Sequence, residues 1–394
     1  MTPAIRRNPG LGTLLAGQAP SDTADWLAFV SVLALLAYQW DAPLIAFAIF
    51  GIAMSLPYIL VGIFAGALVD RWPLRAVLVW SNLLRGLVFL AMTQATGWVG
   101  LIALAALAAT VDSAFTPAKQ AAIEALVAED DRMAANGTSY AINQGSKIVA
   151  PGLGGALLVV MSPESVFVVN AVISVIAALI LLRLPRLAKP MPEDGSVWAN
   201  ALDGLRIVRA APPLRWALGL MAAAFFFMFF YDTLFAPLVQ ELGFDATEFG
   251  LMLSAVGAGG VLGALGAGRT THAQPFATIG IAHVAGGALI AIAGAAALLE
   301  WTIPFLGLLT GFAMVGACTA FAIVPTRTVI QNAAGGTMVA RVTALSEAAN
   351  QMAILSAPLL GAWLASQTAL GWPFVIGGGL TVLLGGLALA RRPG

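Results

Sequence analysis

The chain has 394 residues, 60% of them hydrophobic and only 10% charged, with a formal net charge of zero. Soluble domains carry about a quarter charged residues, so an ordinary water-soluble domain is excluded, and without a basic excess a nucleic-acid partner is not expected. Cys318 is the only cysteine, which excludes a disulfide framework and a thiolate zinc centre.

Runs of about 20 apolar residues mark helices that cross a bilayer. Twelve are predicted. Those of the first half cover 11–38, 42–69, 76–96, 98–117, 134–160 and 163–183. Those of the second cover 213–238, 249–268, 275–299, 302–325, 341–366 and 372–390. Turn residues punctuate them, among them Asp41-Ala42-Pro43, Arg71-Trp72-Pro73, Ser162-Pro163 and Gly371-Trp372-Pro373. Arg6 and Arg7 precede the first stretch without a small-residue cleavage site, so it is expected to be retained as a helix. Between the halves, 185–212 is rich in proline and charge, and Val197–Arg209 can form a helix on the membrane surface.

Charge placement orients this map. With the N-terminus in the cytoplasm, every Lys and Arg outside the spans falls on the inner side. Asp41, Glu164, Glu241, Asp245, Glu248 and Glu300 fall on the outer side. That bias is the one that sets orientation in short loops. Arg183, Arg215 and Arg341, at the ends of spans, fall on that inner side too, and only Arg85 and Lys147 remain, both deep inside spans.

The halves repeat each other. Ser139–Leu158 (SYAINQGSKIVAPGLGGALL) returns as Ser346–Ala365 (SEAANQMAILSAPLLGAWLA), with Asn143-Gln144 on Asn350-Gln351 and an offset of 207 residues. At that offset Asp25 falls on Asp232. A repeat this long exceeds solenoid periods of roughly 20–50 residues and reads as a duplicated half-protein. The expected fold is an all-α membrane protein of 12 transmembrane helices in two six-helix bundles, related by a pseudo-twofold axis. Residues 1–184 would form the first bundle, 185–212 a cytoplasmic linker and 213–394 the second, with a substrate site between them near mid-bilayer.

Gly66–Arg75 (GALVDRWPLR) resembles the G-x-L-x-D-R-x-G-R-R/K loop of the major facilitator superfamily. Gly66, Leu68, Asp70, Arg71 and Arg75 match, while Pro73 and Leu74 depart. The resemblance implies a cytoplasmic latch at Gly66, Asp70, Arg71 and Arg75; a plain positive-inside turn is the alternative. Ala150-Pro151-Gly152-Leu153-Gly154-Gly155 resembles the superfamily's G-P-x-x-G-G antiporter motif, with Ala150 in place of the first glycine. That motif is typical of exporters, against an alternative of small-residue packing. Phe115–Ile123 (FTPAKQAAI) is similar to the F-x-P-A-R-Q-A-x-I segment of the macrolide and enterobactin exporter branch. Gly17-Gln18, Ala24-Asp25-Trp26 and Arg341–Leu345 also look like that branch. One departure stands out: the fourth span lacks the R-x-x-Q-G arginine of many drug/proton antiporters.

Charges at membrane depth usually face a partner or a wet cavity. Asp22, Asp25, Asp112, Lys147 and Asp232 are the candidates for proton coupling. Asp25 is expected beside Lys147 as the proton carrier, against an alternative of static ion pairs that only fasten helices. Arg85 and Glu347 are read as such fasteners. Tyr140, Asn143, Gln144, Asn350 and Gln351 could supply cavity hydrogen bonds or tie helices together. From the aromatic run Phe225–Tyr231, Phe229 and Tyr231 are candidates to meet an apolar ligand. His272 and His283 have no metal-ligand company in the sequence, so neither is assigned a site.

These readings lead to a secondary transporter exporting an amphiphilic small molecule against inward proton flow. A lipid-moving or uptake carrier of the same fold is the alternative. A membrane enzyme or non-transporting sensor is disfavoured, since no nucleophile–base pair is evident. With no G-x-x-x-x-G-K-[ST] loop, the chain is not expected to use ATP itself. The expected partners are a small-molecule substrate, protons and the lipid bilayer, with no nucleic acid, cofactor or metal. The chain is expected to work as a monomer in the inner membrane, both termini cytoplasmic.

Overall fold

The computed structural model describes residues 7–60, 72–187, 212–270, 275–334 and 339–390. Several side chains within helices, including those of Tyr140, Gln144, Lys147, Pro151, Arg341 and Glu347, lie outside the description. The latch residues Gly66, Asp70 and Arg71 and the linker helix expected over Val197–Arg209 also lie outside the described residues.

All described elements are helices. In the first half they are α1 (Pro9–Ala34, continued by a π-helical turn over Leu35–Gln39), α2 (Leu44–Leu60), α3 (Leu74–Met92), α4 (Trp98–Asp112), α5 (Phe115–Leu126), α6 (Glu129–Val160) and α7 (Pro163–Leu181). In the second they are α8 (Pro212–Asp232), α9 (Phe235–Glu241), α10 (Ala246–Thr270), α11 (Pro275–Leu298), α12 (Phe305–Ala334), α13 (Val339–Gln367) and α14 (Gly371–Ala390). The chain divides into two compact units, one of residues 1–42 and 52–193, the other of 43–51 and 194–394.

The described part of each predicted span is mostly helical. Among the described residues, nine helical stretches are long and apolar enough to cross a membrane. The three predicted spans that miss this measure are α2, α6 and α13. Only 17 residues of α2 are described. The other two, α6 and α13, contain side chains that lie outside the description. The helices also present large apolar side chains outward, such as Leu87, Leu90, Val172, Leu262 and Leu383. Such faces suit lipid rather than water.

Two predicted spans are broken. The fourth stops at Asp112 and restarts at Phe115; the seventh stops at Asp232 and restarts at Phe235. Both breaks carry one local pattern, Asp-(Ser/Thr)-x-Phe-x-Pro, in Asp112–Pro117 and Asp232–Pro237. Proline has no N–H to give the carbonyl four residues earlier and clashes with it. The chain therefore turns at that carbonyl, leaving Pro117 and Pro237 in the first turn of a new helix, where proline is tolerated.

In the first unit α1 packs on α6 and α7, and α3 packs on α4, α5 and α7. Leu11, Leu14, Leu78, Phe115, Ile123 and Leu181 fill the core at one end of this bundle. Helix α7 starts where the sequence signals it: the Ser162 hydroxyl accepts from Ser165 N–H, with Pro163 and Glu164 in the first turn.

In the second unit the closest pair is α11 with α14. Gly280, Gly287 and Gly294, seven apart on α11, face Gly385, Gly378 and Gly371, seven apart on antiparallel α14. A Cβ on Gly287 would lie 2.6 Å from the Gly378 carbonyl oxygen, and one on Gly385 would lie 2.6 Å from that of Gly280. Small residues repeated on one face let two helix backbones approach where lipid gives no hydrophobic drive. Helix α10 begins with a reciprocal cap: Glu248 N–H donates to Asp245 Oδ1 at 2.8 Å, and Asp245 N–H donates to Glu248 Oε2 at 2.9 Å.

Candidate functional site

The densest polar cluster lies inside the first unit, around Arg85. This residue sits midway along α3 and is 0% exposed. Burying a guanidinium is costly unless nearby acceptors receive its protons. Here Nη1 donates to Asp25 Oδ2 at 2.8 Å and also to Asp112 Oδ1. Nη2 donates to Ser21 Oγ at 2.7 Å and to Asn82 Oδ1 at 2.9 Å. The planar fork of arginine reaches acceptors on three helices at once, which a lysine ammonium could not do in one geometry.

Each acceptor is placed by local structure. Ser21 and Asp25 are four apart, so they share one face of α1. Asn82 lies three residues before Arg85 on α3, and its amide donates to the Leu78 carbonyl at 3.0 Å, which aims its own oxygen at the guanidinium. Asp112 is the last residue of α4, held at the break that the proline pattern makes. From α2, Tyr58 donates its hydroxyl to Asp112 Oδ2 at 2.6 Å. The Phe115 ring lies 6.0 Å from the guanidinium carbon and 5.8 Å from the Lys119 ammonium.

One cation thus meets two carboxylates. Their surroundings differ: among the described residues, the Asp112 side chain is 10% exposed and has two donor residues, whereas Asp25 is 25% exposed and has one, Arg85. A second cluster follows one turn back along α1. Asp22 Oδ2 accepts from Gln18 Nε2 at 2.9 Å and from Asn143 Nδ2 at 3.2 Å. Gln18 also donates to the Ser139 carbonyl at 2.9 Å and accepts from the Ser139 hydroxyl at 2.7 Å, binding α1 to α6.

The structure therefore brings Asp25 and Asp112 together and sets Asp22 beside Asn143. It centres the cluster on Arg85, which the sequence suggests only as a helix fastener, and adds Tyr58, Ser21 and Asn82, which sequence reasoning missed. The partner of Asp25 is Arg85; the lysine of the expected Asp25–Lys147 pairing lies outside the described side chains, as do Tyr140 and Gln144. A signal existed for Arg85, since an arginine deep in an apolar span usually marks a site. Tyr58, Ser21 and Asn82 gave none. Ala150, Gly154 and Gly155 are buried, and a Cβ on Gly154 would lie 3.2 Å from Val30 of α1. Of the latch residues, Arg75 is described; it donates to the Leu184 carbonyl at 3.0 Å, just past the C-terminus of α7.

In the second unit none of the ion pairs among the described residues includes Asp232. Among the described residues Asn350 Oδ1 has no hydrogen-bond partner, and Gln351 is half-buried. Phe229 stacks on Phe225 with ring centroids 6.1 Å apart, and Tyr231 packs on Phe374 at 5.4 Å.

A family model described as Major Facilitator Superfamily matches residues 14–302. The chain belongs to the major facilitator superfamily. This superfamily member is accordingly a multi-pass membrane transporter of small molecules and not an enzyme. It is 27% identical to an uncharacterized MFS-type transporter, YfiS, of Bacillus subtilis, over 99% of this chain and 95% of that one. It is 29% identical to the multidrug efflux pump Tap of Mycolicibacterium fortuitum, over 59% of this chain and 60% of Tap. It is 26% identical to the enterobactin exporter EntS of Salmonella choleraesuis, over 67% of this chain and 62% of EntS. Among solved structures, a bacterial homolog of the human lysosomal transporter Spinster shares its fold. The TM-score is 0.66 at 15% identity, covering 99% of this chain and 95% of that one.

Proposed function

We propose that this superfamily member exports an amphiphilic or hydrophobic small molecule by alternating access, driven by protons moving inward through the Arg85 cluster. The observation that carries the reading is the charge count: one buried guanidinium against two carboxylates, Asp25 and Asp112. Among the described side chains, the group formed by Arg85, Asp25 and Asp112 holds a net negative charge when both carboxylates are ionised, and unbalanced charge at membrane depth is costly. A proton on one of them, or a cationic substrate close by, removes the excess. A transporter in which either can do so, and not both, exchanges one for the other.

Asp25 is the proton carrier in this reading, because it is the more open carboxylate and has fewer donors among the described residues. Asp112 stays paired with Arg85 and Tyr58, one on each carboxylate oxygen. Arg85, from the third span, then occupies the role left empty by the missing arginine of the fourth. Export as the direction is supported by the Ala150–Gly155 motif and by the efflux pumps among the relatives.

The test is flux in proteoliposomes under an imposed pH gradient, with substrates chosen from lipophilic drugs and siderophores by their accumulation in cells. Gradient-driven flux is expected in the wild type. Asp25→Asn should abolish the gradient dependence while leaving substrate exchange at equilibrium. Gradient-driven flux that survives Asp25→Asn would sink the assignment of the carrier, and wild-type flux indifferent to the gradient would sink proton coupling altogether.

A further inference from the structure

The second unit contains a cavity of its own, partly open, walled by α8, α11, α12 and α14 and with room of about 80 Å³. His283 of α11 and Cys318 of α12 both line it, although the sequence shows them as isolated residues. They are brought side by side by Gly286, where a Cβ would lie 3.1 Å from that of Cys318. The rest of the wall is mostly apolar, with Phe225, Met221 and Met228 contributed by α8.

The polar groups of this wall share one property. His283 is 8% exposed, and its Nδ1 lies 2.7 Å from the Ile279 carbonyl oxygen. A carbonyl can only accept, so Nδ1 carries the proton and Nε2 of the neutral ring is left as an acceptor. Among the described residues no carboxylate lines the cavity to balance an imidazolium. Thr319, Thr326 and Thr381 also face the cavity, and each donates its hydroxyl proton to the carbonyl four residues back, at 2.9, 2.7 and 2.8 Å. Their oxygens keep only lone pairs. Apart from the Tyr231 hydroxyl and the weak Cys318 thiol, the side chains of the described wall offer acceptors without donors.

We propose that this cavity is a ligand site for a small, neutral, apolar molecule bearing one hydroxyl or N–H donor, a phenol being the simplest such compound, with the donor on His283 Nε2. The apolar wall excludes ions, and the surplus of acceptors selects a donor. The volume excludes drug-sized ligands, whose pockets run roughly 300–1,000 Å³. The site is separate from the Arg85 cluster, and its test needs neither a gradient nor transport.

Cys318 supplies the readout, because it is the only thiol of the chain. The purified full-length protein is labelled with N-ethylmaleimide, and the rate is followed by mass spectrometry with para-cresol or its methyl ether present. Para-cresol should slow labelling of the wild type, and the ether, which has no donor, should need about tenfold more for the same effect. In His283→Leu that preference should vanish, and in His283→Gln, which restores an acceptor, it should return. Thermal unfolding with the same two compounds repeats the comparison should the thiol prove inert. Equal effects of the two compounds on the wild type, or no effect of either by both measures, would overturn the proposal.

Discussion

The Tyr58 hydroxyl donates to Asp112 on the carboxylate oxygen that Arg85 does not use. This contact makes the two carboxylates of the cluster unequal. Tyr58→Phe leaves Asp112 Oδ2 without that donor, an expected loss of about 1–3 kcal/mol. Asp112→Asn carries no charge to stabilise, so adding Tyr58→Phe to it should cost far less. The unfolding midpoints of the two single variants and the double variant form a cycle that isolates this pair. Additive losses would mean that Tyr58 and Asp112 act independently.

Arg85 separates stability from transport. Removing one partner of a buried ion pair costs about 3–5 kcal/mol, because the other charge is left uncompensated. Arg85→Met should therefore yield little folded protein, with Asp25, Asp112, Ser21 and Asn82 all losing a donor. Adding Asp25→Asn and Asp112→Asn removes the stranded charges and should restore a monodisperse gel-filtration peak. Gradient-driven flux should not return with it. Recovery of both would show that the cluster only fastens helices.

What the sequence reveals, and what it hides, follows from the range of each interaction. Spans were legible because apolar length is a local property, and the start of α7 because Ser162, Pro163 and Glu164 act within one turn. The breaks at Asp112 and Asp232 were also encoded locally, by Pro117 and Pro237, yet span-length hydropathy averages over them. The candidate site was half legible. Asp25 and Asp112 stand out as acids in apolar runs. That the cation between them is Arg85 depends on how α1, α3 and α4 pack, and spacing along one chain does not fix that. His283 and Cys318 illustrate the same limit, since 35 residues separate them and only the approach at Gly286 puts them on one wall.

The acids Asp245 and Glu248, visible in sequence only as loop charges, cap α10. Each satisfies a backbone N–H of the other. Asp245→Ala removes an N-cap acceptor and should lower stability by about 1 kcal/mol. Asp245→Asn and Asp245→Ser, which keep an acceptor there, should be nearly neutral. Thermal unfolding of the three variants distinguishes capping from a generic surface charge, for which all three would behave alike.

Adjacent glycines on α14 give the sharpest contrast. In a helix interior alanine is favoured over glycine by roughly 0.5–1 kcal/mol, so a glycine there calls for a packing reason. A Cβ on Gly378 would lie 2.5 Å from the Gly287 carbonyl oxygen and 2.7 Å from Ala291 N, both backbone atoms that cannot swing aside. A Cβ on Gly379 would meet nothing within 4 Å. Gly378→Ala must therefore push α11 and α14 apart, opening the contacts at Gly280–Gly385 and Gly294–Gly371 as well. Its unfolding midpoint should fall by several degrees, while Gly379→Ala should hold level or rise. The two substitutions add the same methyl group one residue apart, so composition and helix propensity cancel between them. A difference in this direction can come only from the closeness of the two backbones, and matching midpoints would mean that the helices are not held together at these glycines.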